Sequence, residues 1–364
     1  MISKETDQAS TWQASLQAVV CEACDWSFLD EKDSSLEHCP RCFQATLTPL
    51  DNSTQSQISV MPPERVLPFT LTSGGLENAV GNFARGIPLS PSDLSFANLQ
   101  DRLRRIYLPM WLVDADVQAN WKAEAGFDYQ VVSHQDQYDE RRGGWSSHQV
   151  QEGRIRWELR LGKLKRSYEN ITAPAMEEHN RLLGALGSFD LAGSQPYHPD
   201  FVKSSYIRLP NRLPEDAWAE AKLAFQVAAA EDCRKAASSD YLRQFSWSPE
   251  FSNQNWTLLL MPLYTTYYRD DDGAAQPIFI HGQSGQVSGS RRSSLKRARQ
   301  AALTILGVGV LIFLLSLLVA AASMVLPMLL AVGVVGLTVS LLVGAAAIIP
   351  IVTAWWFNRS QSNP

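Results

Sequence analysis

Four of the five cysteines in this 364-residue chain fall into two pairs, Cys21-Glu22-Ala23-Cys24 and Cys39-Pro40-Arg41-Cys42, separated by 14 residues. Each C-x2-C gap lets a turn aim two sulfurs at one point, and the segment between can form a small hairpin that brings the pairs together. Four thiolates favour tetrahedral Zn2+, with Fe as the less favoured occupant. A closed shell of this kind leaves no coordination position for water or substrate, so its expected chemistry is structural. Trp26, Phe28, Leu29, Leu36 and Phe43 are nearly the whole apolar content of the fragment, and metal binding would supply much of its folding free energy. His38, beside Cys39, reads as a surface side chain and not as a substitute ligand.

The other reactive residues form weaker patterns. Neither Gly74-Gly75 nor the glycines of 282–289 make a phosphate loop or a dinucleotide fingerprint, the histidines form no HExxH pair, and no serine stands in a nucleophile elbow. Asp114 and Asp116, two apart on a strand, would share one face and could hold a cation. His134 and His148 flank the polar stretch 133–149 and would meet across a hairpin. Cys233 lies on an apolar helical stripe with Trp218, Ala221 and Phe225, which makes it a packing residue and not a nucleophile. The balance is against an enzyme, and no catalytic residue is assigned.

These residues need elements to hold them. Leu76–Ala84 has a helical period, and Ser90-Pro91-Ser92-Asp93 suits a helix start. From Tyr107 to Val117, and on through Trp121 to Val132, aromatic and β-branched residues predict antiparallel strands, with Ser133–Gln149 as a loop between them. In Arg154–Leu161 the side chains Ile155, Trp157, Leu159 and Leu161 alternate with Arg154, Arg156, Glu158 and Arg160. Helices are expected over 174–186 and 214–244. A strand at Trp256–Tyr268, a turn at Arg269–Gly273 and a strand at Pro277–His281 close the polar part. Tyr107-Leu108-Pro109-Met110-Trp111 and Leu260-Met261-Pro262-Leu263-Tyr264 each place Pro before an aromatic in an apolar strand, as two related β units would.

Composition divides the chain. Between Gln300 and Phe357 there is no Asp, Glu, Lys, Arg or His, which excludes a wholly soluble protein. Residues 1–290 hold 26 Lys+Arg against 37 Asp+Glu, which argues against a basic nucleic-acid binder. Around the cysteines, Lys32 and Arg41 are outnumbered by Asp25, Asp30, Glu31, Asp33 and Glu37. The apolar stretch would be about 85 Å long as one helix, against a hydrocarbon core of about 30 Å, so two crossings are expected. They are placed at Gln300–Ser323 and Leu329–Ile351, with the turn at Met324–Met328. Met1–Asp30 has no apolar signal-peptide core. Arg291, Arg292, Lys296, Arg297 and Arg299 before the first span, and Arg359 after the second, predict both termini in the cytoplasm. Gly307, Gly309, Gly333, Gly336 and Gly344 would let helices approach closely, within the hairpin or between copies.

The Cys pattern resembles the zinc ribbons of small prokaryotic and transcription-factor proteins. The order of features resembles uncharacterised prokaryotic membrane proteins that join an N-terminal transcription-factor-type zinc ribbon to a mixed α/β body and a C-terminal membrane segment. Tyr107, Pro109 and Trp111 match their Y-x-P-x-W segment. Pro262, Tyr264, Gly282, Gln283, Gly285 and Gly289 match their Pro-aromatic strand and G-Q-x-G-x-x-x-G turn. The resemblance assigns no catalytic residue.

The expected fold is multidomain α+β. A four-Cys zinc ribbon with its N-terminal tail occupies 1–45, a flexible linker 46–65, and a body of antiparallel β-meanders with helices 66–290. A basic juxtamembrane segment follows at 291–299, a two-helix membrane hairpin at 300–357 and a cytoplasmic tail at 358–364. The expected function is a membrane-anchored cytoplasmic adaptor or scaffold in a larger assembly at a prokaryotic inner or plasma membrane. Its expected partners are the bilayer, through 300–357, and a protein or a second copy of the chain. The alternatives are a membrane-bound enzyme with a pocket in the body, and a zinc-ribbon nucleic-acid binder, which the charge disfavours.

Overall fold

The structure, a computed structural model, describes residues 16–32, 38–51, 61–139, 143–322 and 328–361. It is a mixed α+β fold with a large sheet and apolar helices at the C-terminal end. The strands are β1 (Leu16–Val20), β2 (Ser27–Glu31), β3 (Thr48–Pro49), β4 (Pro63–Val66), β5 (Arg104–Asp139), β6 (Gly144–Pro174), β7 (Gln195–Pro196), β8 (Tyr206–Arg208), β9 (Tyr241–Arg269), β10 (Ala275–His281) and β11 (Val287–Gly289). The α-helices are α1 (Ser73–Arg85), α2 (Phe96–Leu99), α3 (His179–Leu186), α4 (Pro214–Ala236), α5 (Leu295–Ala322), α6 (Leu329–Ala346) and α7 (Ile349–Gln361). The chain divides into two compact units, one of Met1–Pro109, Asn180–Leu209 and Leu260–Pro364, the other of Met110–His179 and Pro210–Leu259.

In the first unit the strand order is β11-β10-β9-β5-β8-β2-β1-β3, with β4 beside β7 and β9. Helix α1 starts where the Thr72 hydroxyl accepts from Gly75 N–H at 3.2 Å, the usual way of satisfying a free donor at a helix start. Its stripe Leu76, Ala79, Val80 and Phe83 recurs at helical spacing and packs on Tyr264 and Tyr268 of β9 and on Ile278 and Ile280 of β10. A second cluster joins Leu16, Ala18 and Leu29 of the cysteine-bearing segment to Val66, Tyr107, Ile207 and Leu260. That segment also pairs with the sheet directly, since Phe28 and Leu29 of β2 face Arg208 and Ile207 of β8. Of the stretch 46–65 expected as a linker, Thr48–Pro49 form β3, 63–65 belong to β4, and 52–60 lie outside the described residues. The Pro262…Gly282 motif has a steric reason. Gly282 N–H donates to Pro262 C=O at 3.0 Å, and a Cβ on Gly282 would lie 2.6 Å from that oxygen.

Helix α5 begins at Leu295, so the basic residues from Lys296 onward occupy its first turns. The Ser294 hydroxyl accepts from Arg297 N–H at 3.0 Å, and the Asp271 carboxylate accepts from Lys296 N–H at 2.8 Å and from the Ser294 hydroxyl at 2.7 Å. A carboxylate at that end satisfies unpaired N–H groups and complements the helix dipole. At the other end of the apolar region the Asn358 side chain accepts from Ser293 N–H at 2.7 Å and donates to Ser293 C=O at 3.0 Å. The two ends of the hairpin therefore lie side by side and are hydrogen-bonded to each other. Leu295–Ala322 and Leu329–Gln361 are long and apolar enough to cross a membrane. The expected turn at Met324–Met328 lies outside the described residues except for Met328. The second helical stretch is interrupted at Ala347–Ile348, just before Pro350, whose ring and missing N–H break the i→i−4 ladder there.

The small residues bring the hairpin arms together. A Cβ on Gly333 would lie 2.9 Å from Ala320 Cα, and one on Gly336 would collide with the Ser316 hydroxyl. Gly336→Leu is therefore expected to cost about 1–3 kcal/mol by overpacking and to lower the thermal midpoint in detergent. Gly307→Ala, where nothing lies within 4 Å of the new Cβ, is expected to leave that midpoint unchanged.

The second unit is built on strands of unusual length. β5 and β6 pair antiparallel from Met110↔Pro174 to Asp139↔Gly144, with a bulge that sets Glu169 and Asn170 opposite Asp114. Expected as a loop, 133–149 is instead strand over 133–139 and 144–149, and 140–142 lie outside the described residues. β9 runs antiparallel beside β5. Asp240 N–H donates to Gly126 C=O at 3.0 Å, Arg243 reaches Glu124, and Asn253 reaches Asp116. Helix α4 buries Ala217, Ala221, Phe225, Ala229 and Cys233 on one stripe, and Phe225 meets Tyr168 edge-on at 6.0 Å. The alternation in 154–161 is present, but its apolar side is covered only in part, with Arg243 over Trp157 at 3.9 Å. Leu159 is 68% exposed, Leu161 72%, and Trp145 near the ribbon end 74%.

Candidate metal centre

Cys21 and Cys24 follow β1, and Cys39 and Cys42 follow the short bridge at His38. The two pairs sit in matching turns. Asp25 N–H donates to Cys21 C=O at 2.8 Å and Phe43 N–H to Cys39 C=O at 2.9 Å. Asp25 has φ +58 and Phe43 φ +55. A left-handed residue straight after each pair turns the chain back so that both sulfurs point inward. Each turn is closed by its neighbours, with Cys21 N–H on Trp26 C=O at 3.0 Å and Cys39 N–H on Ala45 C=O at 2.8 Å.

All four sulfurs lie within 4.8 Å of one another, with Cys21–Cys42 at 3.6 Å and Cys24–Cys39 at 3.7 Å. Sulfurs on a tetrahedral zinc shell at the usual Zn–S length are about 3.8 Å apart. The four cysteines are thus positioned to bind a metal ion, with a spacing consistent with zinc. Cys21 and Cys39 are buried, and Cys24 and Cys42 are partly exposed. The hydrogen bond from Cys39 holds the Cys24 thiol well below its ordinary pKa. That same bond, reinforced by burial, pushes Cys39 up, and burial pushes Cys21 up. A cation that replaces the shared protons relieves this opposition by letting every sulfur be a thiolate. His38 is exposed and is not among the clustered ligand atoms.

Two arginines flank the Trp26 ring next to the cysteine turns. Arg41 N–H points at Cys39 Sγ at 3.4 Å, its guanidinium donates to Cys24 C=O at 2.9 Å, and it lies 4.3 Å from the Trp26 ring centre. Arg208 of β8 lies 4.9 Å from the same ring and donates to Ser27 C=O at 3.0 Å. The indole gives both guanidiniums a flat surface, and Arg41, bonded to the cysteine turns, would offset part of the negative charge of a four-thiolate centre. Arg208 could not be assigned from the sequence, because only the pairing of β8 with β2 brings it to Trp26. Phe43 rests on Tyr267 at 4.7 Å, a further contact between the cysteine turns and the sheet.

The remaining candidates are kept apart. His134 faces Gln149 and His148 faces Gln135 across the ribbon, so the two imidazoles lie on opposite faces. Asp114 and Asp116 do share a face, but each is used locally. Asp114 accepts from Asn170 N–H at 2.7 Å in the bulge, and Asp116 accepts from the Ser167 hydroxyl and, at 2.7 Å, from Asn253. Those bonds, Ser167 first, hold Asp116 below the usual carboxylate range. About 60 Å of extended strand separates Asp116 from His134, at about 3.4 Å per residue. Cys233 is buried on α4, and burial pushes its thiol up to about 11, which leaves it protonated and a poor nucleophile at neutral pH. Among the described residues the four cysteines form the one group of three or more His, Cys, Asp or Glu side chains arranged to hold a metal ion. Comparison with protein-family models, with curated proteins and with solved structures finds no match to this chain.

Proposed function

We propose that this chain is a membrane-anchored cytoplasmic adaptor or scaffold, with structural Zn2+ in an N-terminal zinc ribbon, in a larger assembly at a prokaryotic inner or plasma membrane. The two matching cysteine turns and the short strands around them support the ribbon reading. The observation that carries the scaffold reading is the β-ribbon of the second unit. Its paired strands continue for about 100 Å at about 3.4 Å per residue, and they leave Leu159, Leu161 and Trp145 mostly in solvent. Apolar side chains of that size left exposed on one structure mark a surface that a protein partner covers.

A photo-crosslinking amino acid placed at Leu161 in intact membranes tests this. The expected result is a single adduct of defined mass, lost when Leu159→Lys is added. No adduct, or a smear that Leu159→Lys leaves unchanged, would overturn the proposal.

A further inference from the structure

A cleft of about 510 Å³ opens where α5 begins, lined by Arg85 at the end of α1, by Leu89 and Ser90 in the turn that follows, and by Arg297, Gln300 and Thr304 of α5. Its walls are tied together. Arg297 donates to Ser90 C=O at 2.7 Å, and Ser294 N–H donates to Leu89 C=O at 2.9 Å, with Leu89 held at φ +51. Among the described residues, Arg85 bonds to the Asn82 side chain of its own helix and to no other. Both guanidiniums are exposed, and among the described residues neither has a carboxylate partner. The cleft thus holds two unneutralised cations on a body that is otherwise acidic. It also straddles the boundary between charge and hydrocarbon, since the uncharged run of α5 starts at Gln300, less than one turn beyond Arg297.

We propose that this cleft binds the headgroup of an anionic phospholipid, with Arg85 and Arg297 on the phosphate oxygens and the acyl chains along the apolar surface of α5. The inference rests on the reading of α5 as a membrane span. Two guanidinium forks match phosphate oxygens in geometry and charge, and the volume suits a glycerophosphate group. At the membrane surface each such cation adds attraction for anionic lipid.

Native mass spectrometry of the full chain in detergent, titrated with short-chain phosphatidylglycerol or phosphatidylcholine, tests it. Phosphatidylglycerol is expected to bind at least about tenfold more tightly. The double variant Arg85→Gln/Arg297→Gln should lose about thirtyfold of that affinity and each single variant about fivefold. Arg292→Gln, a basic residue outside the cleft, should change it by less than about twofold. Equal binding of the two lipids, an equal loss in Arg292→Gln, or displacement of the lipid by soluble glycerol phosphate at matched concentration would each overturn the proposal. Release of the chain from membranes by alkaline carbonate would instead overturn the membrane reading beneath it, whereas retention without lipid preference would remove the lipid site alone.

Discussion

Replacing Cys39 by Ser is expected to abolish stoichiometric metal binding and to unravel the cysteine turns. Cys39 is fully buried, and its sulfur is 3.7 Å from that of Cys24. A serine hydroxyl in its place is neither a thiolate nor long enough to restore the shell. Loss of a supporting contact at a metal site costs about 10–100-fold in affinity, and loss of a ligand should exceed that. The wild-type chain should carry about one Zn per molecule by elemental analysis, and Cys39→Ser close to none. Because β2 pairs with β8 and Leu16, Ala18 and Leu29 share a core with Tyr107 and Leu260, the damage should spread beyond the turns. Hydrogen exchange should rise in Leu16–Glu31 and in Tyr206–Arg208, with Met110–His179 still protected. Wild-type protein without Zn or Fe would overturn the metal site, and exchange rising evenly over both units would overturn this path of coupling. Acidification should release the ion too, because protons compete for the thiolates; the sign is loss of metal as pH falls.

A second all-or-none outcome concerns the membrane. With single cysteines at Ser290, Ser323 and Ser362, in a background that keeps the four ligand cysteines, only Ser323→Cys should react with an impermeant thiol reagent added outside intact cells. Five basic residues at 291–299 are expected, by the charge rule, to hold the start of α5 on the cytoplasmic side. The double hydrogen bond between Ser293 and Asn358 keeps the end of the second helix beside it. In this orientation the four cysteines Cys21, Cys24, Cys39 and Cys42 would face a reducing compartment, where metal is favoured over disulfides. Labelling at Ser290→Cys and Ser362→Cys but not at Ser323→Cys would invert the orientation, and labelling at only one of those two ends would mean a single crossing. The clamp adds a further expectation, since Asn358→Leu should loosen the hairpin base without changing the labelling pattern.

Patterns confined to neighbouring residues were decided by the sequence alone. Two C-x2-C turns need only local backbone to aim their sulfurs, an uncharged run from Gln300 to Phe357 needs only its composition to make apolar helices, and the stripe from Ala217 to Cys233 needs only helical spacing to mark the buried face of α4. Pairing between distant segments was decided by the tertiary structure. Nothing near Cys21 announces that β2 will join β8 and bring Arg208 over Trp26, or that Asp271 and Asn358 will close the base of the hairpin. Exposure was equally hidden. Alternation in 154–161 defines an apolar face of β6, yet whether anything covers that face depends on where α4 lies, and it leaves Leu159 and Leu161 open. The polar stretch 133–149 looked like a loop because strand signals in sequence come from burial, and a ribbon with both faces in water needs no apolar alternation to keep its backbone hydrogen bonds.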